Sequence, residues 1–221
     1  DTILNAASSY IVNDIMDQSA DLFNKPEKLY IGKHGIHTWV GWVYYVSIVA
    51  LGFWIAYYIA TEIGKIHLLI IYPVAVGLLF LYSLYFKKMP LIGNLVVSLF
   101  CALVPGIIWF AEYDALLYFA ASEHELYQLI MHLFPVYIAF AFLSTFIREI
   151  VKDIEDMDGD QRSGYQTLPI VAGVERAKVV ALFWGVILCF SYLFWFVGYT
   201  DSKAIMVGVL IAVGLGMPTV Y

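Results

Sequence analysis

TWVGWVYYVSIVALGFWIAYYIA, residues 38–60, carries no charged side chain. It reaches the roughly 20 residues that an α-helix needs to cross a hydrocarbon core. Further apolar segments fall at 1–20, 66–86, 91–113, 126–152, 178–199 and 204–221. They are too long for barrel strands, and a backbone in lipid must satisfy its own hydrogen bonds, so helices are expected throughout. The fold class predicted is all-α, a polytopic membrane helix bundle. Composition agrees: 62% of the 221 residues are hydrophobic and only 14% charged, against about a quarter charged in a soluble domain. A net charge of −6 without a basic, aromatic-laced patch gives no reason to expect nucleic acid as a partner. Pro73, Pro105 and Pro135 fall inside the apolar runs and are expected to kink or locally open them. The first and last segments are cut by the chain ends. A single membrane domain over residues 1–221, truncated at both ends, is therefore expected.

Basic residues set the orientation. Alternating crossings gather Lys25, Lys28, Lys33, Lys87, Lys88, Arg148, Lys152, Arg162, Arg176 and Lys178 on one side and leave Lys65 and Lys203 on the other. Lys and Arg concentrate on cytoplasmic connections. The first side is expected to face the cytoplasm, from the inner or plasma membrane if the source is bacterial. Cys101 and Cys189 lie within apolar runs and read as packed thiols. His34, His37, His67, His124 and His132 show no paired metal-ligand spacing, and no Walker, Rossmann, Gly-x-Ser-x-Gly or Cys-x-x-Cys pattern occurs.

Two acidic stretches remain, both on the cytoplasmic side. NDIMDQSAD (13–21) and DIEDMDGD (153–160) place Asp14, Asp17, Asp21 and Asp153, Asp156, Asp160 at the same i, i+3, i+7 spacing. On a continuous helix each trio falls within roughly 60° of arc on one face. Glu149 joins the second stripe one turn earlier, while Glu155 and Asp158 point elsewhere. One such stripe is an ordinary solvated helix end; two copies of it, each closing an apolar segment on the same side, favour a metal site. Clustered carboxylates repel unless a cation sits among them. Oxygen ligands suit Mg2+, which keeps waters and recruits substrate phosphates, and a diphosphate is the anion expected to bridge to it. Lys25, Lys28, Lys87, Arg148 and Lys152 lie near in sequence and are candidates to share the phosphate charge, whereas Lys33 and Lys88 read as snorkelling side chains. Asn94 is an amide early in an apolar helix, fit for interhelical glue or a ligand. Among many aromatics, Tyr82 is the one named as a candidate site residue, since a ring face can stabilise a cation.

At this point the residues resemble a known family. NDIMDQSAD resembles the first motif, Asn-Asp-x-x-Asp-x-x-x-Asp, of the UbiA superfamily of intramembrane prenyltransferases, and DIEDMDGD resembles the second, Asp-x-x-Asp-x-x-x-Asp. The resemblance implies a nine-helix bundle with a central cavity, of which about seven transmembrane helices are visible here. It also implies Mg2+ held by Asn13, Asp14, Asp17 and Asp21 from one side and by Asp153, Asp156 and Asp160 from the other. The implied donor is an isoprenyl diphosphate. Tyr82, Lys87 and Asn94, in YSLYFKKMPLIGN, match a tyrosine–lysine element followed by Gly-Asn. Within the superfamily, REIVKDIEDMDGDQRSGYQTLP (148–169) looks most like the geranylgeranylglycerol-phosphate geranylgeranyltransferase branch, with its trailing Thr167-Leu168-Pro169. A departure is NKPEKLYIGK after the first motif, where lysines stand in place of arginines; lysine is a point charge and lacks the bidentate fork.

The function expected is Mg2+-dependent prenyl transfer. An allylic diphosphate ionises, and an acceptor captures the cation in a water-poor cavity. Asp17, Asp156, Lys87 and Tyr82 are the residues expected to carry the reaction. The acceptor expected is a glycerol-phosphate-type lipid precursor, with an aromatic acceptor as the alternative. A cation-coupled membrane transporter is the rival from another class, but its acidic groups belong near the midplane. A CDP-alcohol phosphotransferase lacks its Asp-Gly-x-x-Ala-Arg run here.

Overall fold

The structure, a computed structural model, describes residues 2–24, 30–32 and 35–199. Ten α-helices follow in order: α1 (Thr2–Met16), α2 (Gln18–Asn24), α3 (Thr38–Glu62), α4 (Ile71–Leu84), α5 (Ile92–Ala111), α6 (Tyr113–Ser122), α7 (His124–Glu155), α8 (Met157–Arg162), α9 (Leu168–Ala172) and α10 (Val174–Tyr199). Among the described residues there is no β-strand, only an isolated bridge between Ile31 and Ile36. The all-α expectation holds.

Among the described residues, five stretches are long and apolar enough to cross a membrane: Thr38–Glu62, Ile66–Lys88, Ile92–Ala111, His124–Glu155 and Val174–Trp195. They coincide with five of the expected segments, and the chain is an integral, multi-pass membrane protein. The segment expected at 204–221 lies outside the described residues. The one expected at 1–20 is divided at Asp17 into α1 and α2. The helix α6 falls between the apolar segments at 91–113 and 126–152; its 10 residues span only about 15 Å, half a hydrocarbon core.

The three prolines occupy two kinds of place. Pro73 stands third in α4, after a 3₁₀ turn over Ile66–Ile70, where its missing N–H is not needed by the helix. Pro105 and Pro135 lie inside α5 and α7, and both helices run on through them.

Two compact units divide the chain, Asp1–Val96 with Asp153–Ala172, and Val97–Lys152 with Gly173–Tyr221. In the first, α1 packs on α3 and α4, and α2 packs on α8. The buried positions of α3 are Gly41, Gly52 and Ala60, while Trp39, Tyr44, Trp54, Tyr57 and Tyr58 are exposed. Small residues inward and large apolar ones outward is what lipid as solvent selects. In the second unit, edge-to-face pairs such as Trp109–Phe134 (5.4 Å) and Phe146–Trp184 (5.7 Å) link α5 to α7 and α7 to α10.

Candidate active site

The first unit contains both acidic segments. Neither is a continuous helical stripe. The first breaks at Asp17, between α1 and α2, and the second at Asp156, between α7 and α8. Asp156 has φ −89 and ψ 5, a conformation just outside the helix. Local hydrogen bonds still carry the turn across each break: Asp21 N–H donates to Asp17 C=O (2.8 Å) and Asp160 N–H to Asp156 C=O (3.1 Å). The single 60° stripe predicted from spacing is thus corrected at its middle residue in both copies. Asp is a poor interior helix former because its side chain competes for backbone groups.

At the first break, Asp17 Oδ1 accepts from Lys87 Nζ at 2.6 Å and from the Tyr165 hydroxyl at 2.7 Å. Lys87 Nζ also reaches Asn13 Oδ1 at 3.5 Å, and that oxygen accepts from Ser83 Oγ at 2.6 Å. The Lys87 side chain is 8% exposed, so its charge is held in place by these oxygens rather than by water. Its place is fixed by the α4–α5 connection. A 3₁₀ turn over Phe86–Lys88 and Leu91 at φ +63 turn the chain back. Gly93 then lies so close that a Cβ there would stand 2.9 Å from both Lys87 Cα and Phe86 O.

Tyr165 arrives by a different device. The end of α8 is a Schellman motif, with Tyr165 N–H donating to Asp160 C=O (2.9 Å) and Gly164 N–H to Gln161 C=O (3.1 Å). Gly164 supplies the left-handed φ of +78 that this reversal requires. Gln166 N–H then pairs with Lys88 C=O at 2.9 Å, and the Lys88 ammonium sits 5.4 Å from the centre of the Tyr165 ring. Burial, and after it the carboxylates of Asp17, Asp160 and Asp21, pushes the Tyr165 phenol far above its ordinary range. It therefore stays protonated and donates to Asp17. Carboxylates of both acidic segments act on this one hydroxyl. We expect Gly164→Ala to lower stability by about 1–2 kcal/mol, the cost of a left-handed residue with a Cβ, read as a lower midpoint in thermal unfolding.

At the second break, Asn24 Nδ2 donates to Asp156 C=O at 2.9 Å, and Gly159 N–H donates to Asn24 Oδ1 at 2.8 Å. Arg162 lies over the Phe23 ring at 4.8 Å. One turn earlier, Asn94 Nδ2 donates to Asp153 Oδ2 at 2.8 Å.

Of the residues singled out from sequence, Asn13, Asp17 and Lys87 meet in one network, and Asn94 with Asp153 in another. Asp14 lies on α1, Asp21 on α2, Asp160 on α8, and Tyr82 is half-buried on α4. Lys25 and Lys28 lie outside the described residues. Arg148 and Lys152 belong to the second unit; Arg148 is 68% exposed and donates to Glu149 at 2.9 Å, and Lys152 is exposed. Sequence reasoning missed Tyr165, Asn24, Ser83 and Gly159. Among the described residues, no three His, Cys, Asp or Glu side chains form a ready-made metal cage.

The digeranylgeranylglyceryl phosphate synthase of Thermococcus gammatolerans is 31% identical over 183 residues, covering 83% of this chain and 58% of that protein. The synthase of the same name from Sulfurisphaera tokodaii is 32% identical over 196 residues, 88% of this chain and 63% of that protein. The one from Methanobrevibacter smithii is 31% identical over 175 residues, 78% and 56% respectively. The chain spans somewhat over half the length of the curated relatives it matches. No solved structure gives a significant match. The sequence profile described as the UbiA prenyltransferase family matches residues 2–220, and the chain belongs to that family.

Proposed function

We propose that this chain is the core of a magnesium-dependent prenyltransferase acting at the cytoplasmic face of the membrane. It moves an isoprenyl group from its diphosphate to a glycerol-phosphate-type lipid acceptor. The observation that carries the reading is Tyr165, whose hydroxyl donates to Asp17 Oδ1 of the first acidic segment and whose N–H donates to Asp160 C=O of the second. The two segments work as one site within a single functional domain. The relatives' names support the acceptor class.

The donor set fits a hard divalent ion, being built of carboxylates and an amide oxygen without Cys or His. Mg2+ is usually held by one or two carboxylates, waters and substrate phosphates, so no preformed three-carboxylate cage is needed. Asn13, Asp14, Asp17 and Asp21 would hold it from one segment and Asp153, Asp156 and Asp160 from the other, where it would supply positive charge against the departing diphosphate. Lys87, with Lys25 and Lys28, takes the phosphate oxygens. Asn94 orients Asp153 and contacts the diphosphate. Tyr82 presents a ring face to the allylic cation. The C–O bond to diphosphate breaks, the acceptor oxygen bonds the allylic carbon, and the hydroxyl proton leaves to solvent or phosphate. Low water content in the site keeps the cation from hydrolysis.

The test is product mass spectrometry on the full-length protein, offered an isoprenyl diphosphate with a glycerol-phosphate-type or an aromatic acceptor. An ether product with Mg2+, absent with chelator, is expected. Exclusive prenylation of the aromatic acceptor would overturn the acceptor assignment. Cation flux without diphosphate release would overturn the enzyme reading.

A further inference from the structure

The hydrogen bonds at the two breaks form a reciprocal pair. Asn24 follows the first acidic segment and closes on the break of the second, at Asp156 C=O and Gly159 N–H. Tyr165 follows the second and closes on the break of the first, at Asp17 Oδ1. Each tail straps the opposite segment. Both straps use groups of high geometric demand. The Asn24 amide engages donor and acceptor at once, and Gly159 is buried so close beneath it that any Cβ would collide with the amide. The Tyr165 hydroxyl donates to the same oxygen that receives Lys87.

We infer that Asn24 and Tyr165 are positioning residues that hold the two acidic segments at the separation needed to share bound metal. Carboxylates gathered around one site repel one another when the metal is away. Neutral donors anchored across the gap add to the Lys87 ammonium in opposing that repulsion and tie each segment to the other. Partners that orient metal ligands in this way typically change metal affinity 10–100-fold when removed. The inference rests on the metal–diphosphate reading above.

The experiment uses the full-length protein in detergent, comparing Asn24→Ala and Tyr165→Phe with the unmodified sequence. Tyr165→Phe keeps the ring and its packing, so it stays informative if Asn24→Ala folds poorly. Two readouts are taken: Mn2+ binding by electron paramagnetic resonance, and the Mg2+ dependence of diphosphate release. Weaker Mn2+ binding by about tenfold or more in the variants is expected, with a matching rise in the Mg2+ midpoint and little change in the acceptor KM. Mn2+ binding within twofold of the unmodified protein in folded Tyr165→Phe would overturn the inference. Should the unmodified protein release no diphosphate, the prenyl-transfer reading falls, and Mn2+ binding still decides whether the straps act on metal. Asn24→Ala/Gly159→Ala removes the collision while leaving the strap cut. It should fold better than Gly159→Ala alone yet bind Mn2+ as weakly as Asn24→Ala, and restored Mn2+ binding would reduce Asn24 to packing.

Discussion

Asp17→Asn should lower Mg2+-dependent diphosphate release by about 10²–10⁴-fold while leaving the protein folded. A divalent ion held by this carboxylate would supply several kcal/mol of charge stabilisation in the transition state, and each 1.4 kcal/mol or so is tenfold in rate. An asparagine oxygen at the same place still accepts from Lys87 Nζ and the Tyr165 hydroxyl, now 2.6 and 2.7 Å from Asp17 Oδ1. The network persists and only the negative charge is lost. Thermal unfolding therefore moves little. Asp158→Asn, an exposed carboxylate one residue from the buried Gly159, serves as the control and keeps full activity. Retention of activity within threefold by Asp17→Asn would show that the first segment does not bind metal.

Lys87→Met carries the second large effect. The methionine fills a similar volume, so what is removed is the ammonium. Truncating one partner of a buried charge pair typically costs about 2–5 kcal/mol, which predicts a fall in kcat/KM for the prenyl diphosphate of roughly 30-fold to a few thousandfold. The fall should appear in both parameters, because Lys87 takes phosphate charge in the bound substrate and in the transition state. Lys87→Arg is not expected to rescue it. The larger planar fork must fit a buried place where the ammonium already lies 2.6 Å from Asp17 Oδ1 and 3.5 Å from Asn13 Oδ1. A kcat/KM unchanged in Lys87→Met would assign this lysine to structure alone, as the counter-ion of Asp17.

The membrane helices were legible because lipid leaves the backbone no alternative partner; the run at 38–60 reappears as α3 (Thr38–Glu62). The acidic motifs were legible from spacing, and Lys87 from its match to a tyrosine–lysine element. The breaks at Asp17 and Asp156 were not, since periodicity assumes an uninterrupted helix and a one-residue change of ψ leaves no compositional mark. Tyr165 was hidden among 17 tyrosines, and its contact with Asp17 joins residues 148 positions apart. A local signal for it does exist: Ser163-Gly164 after a short polar run is a helix stop, and the residue after such a stop is thrown back across the helix end. Arg148 stands near Asp153 in sequence, while in the folded chain its guanidinium turns to Glu149.

The claim at the centre of this account is that the two acidic segments hold one metal–diphosphate group between them. Anomalous diffraction from crystals of the full-length protein with Mn2+ and an unreactive prenyl thiolodiphosphate tests it most directly. The account predicts manganese peaks within about 2.1–2.3 Å of carboxylate oxygens from both the Asp14–Asp21 and the Asp153–Asp160 segments, with the diphosphate bridging them. Manganese bound by one segment alone, with the diphosphate elsewhere, would contradict it.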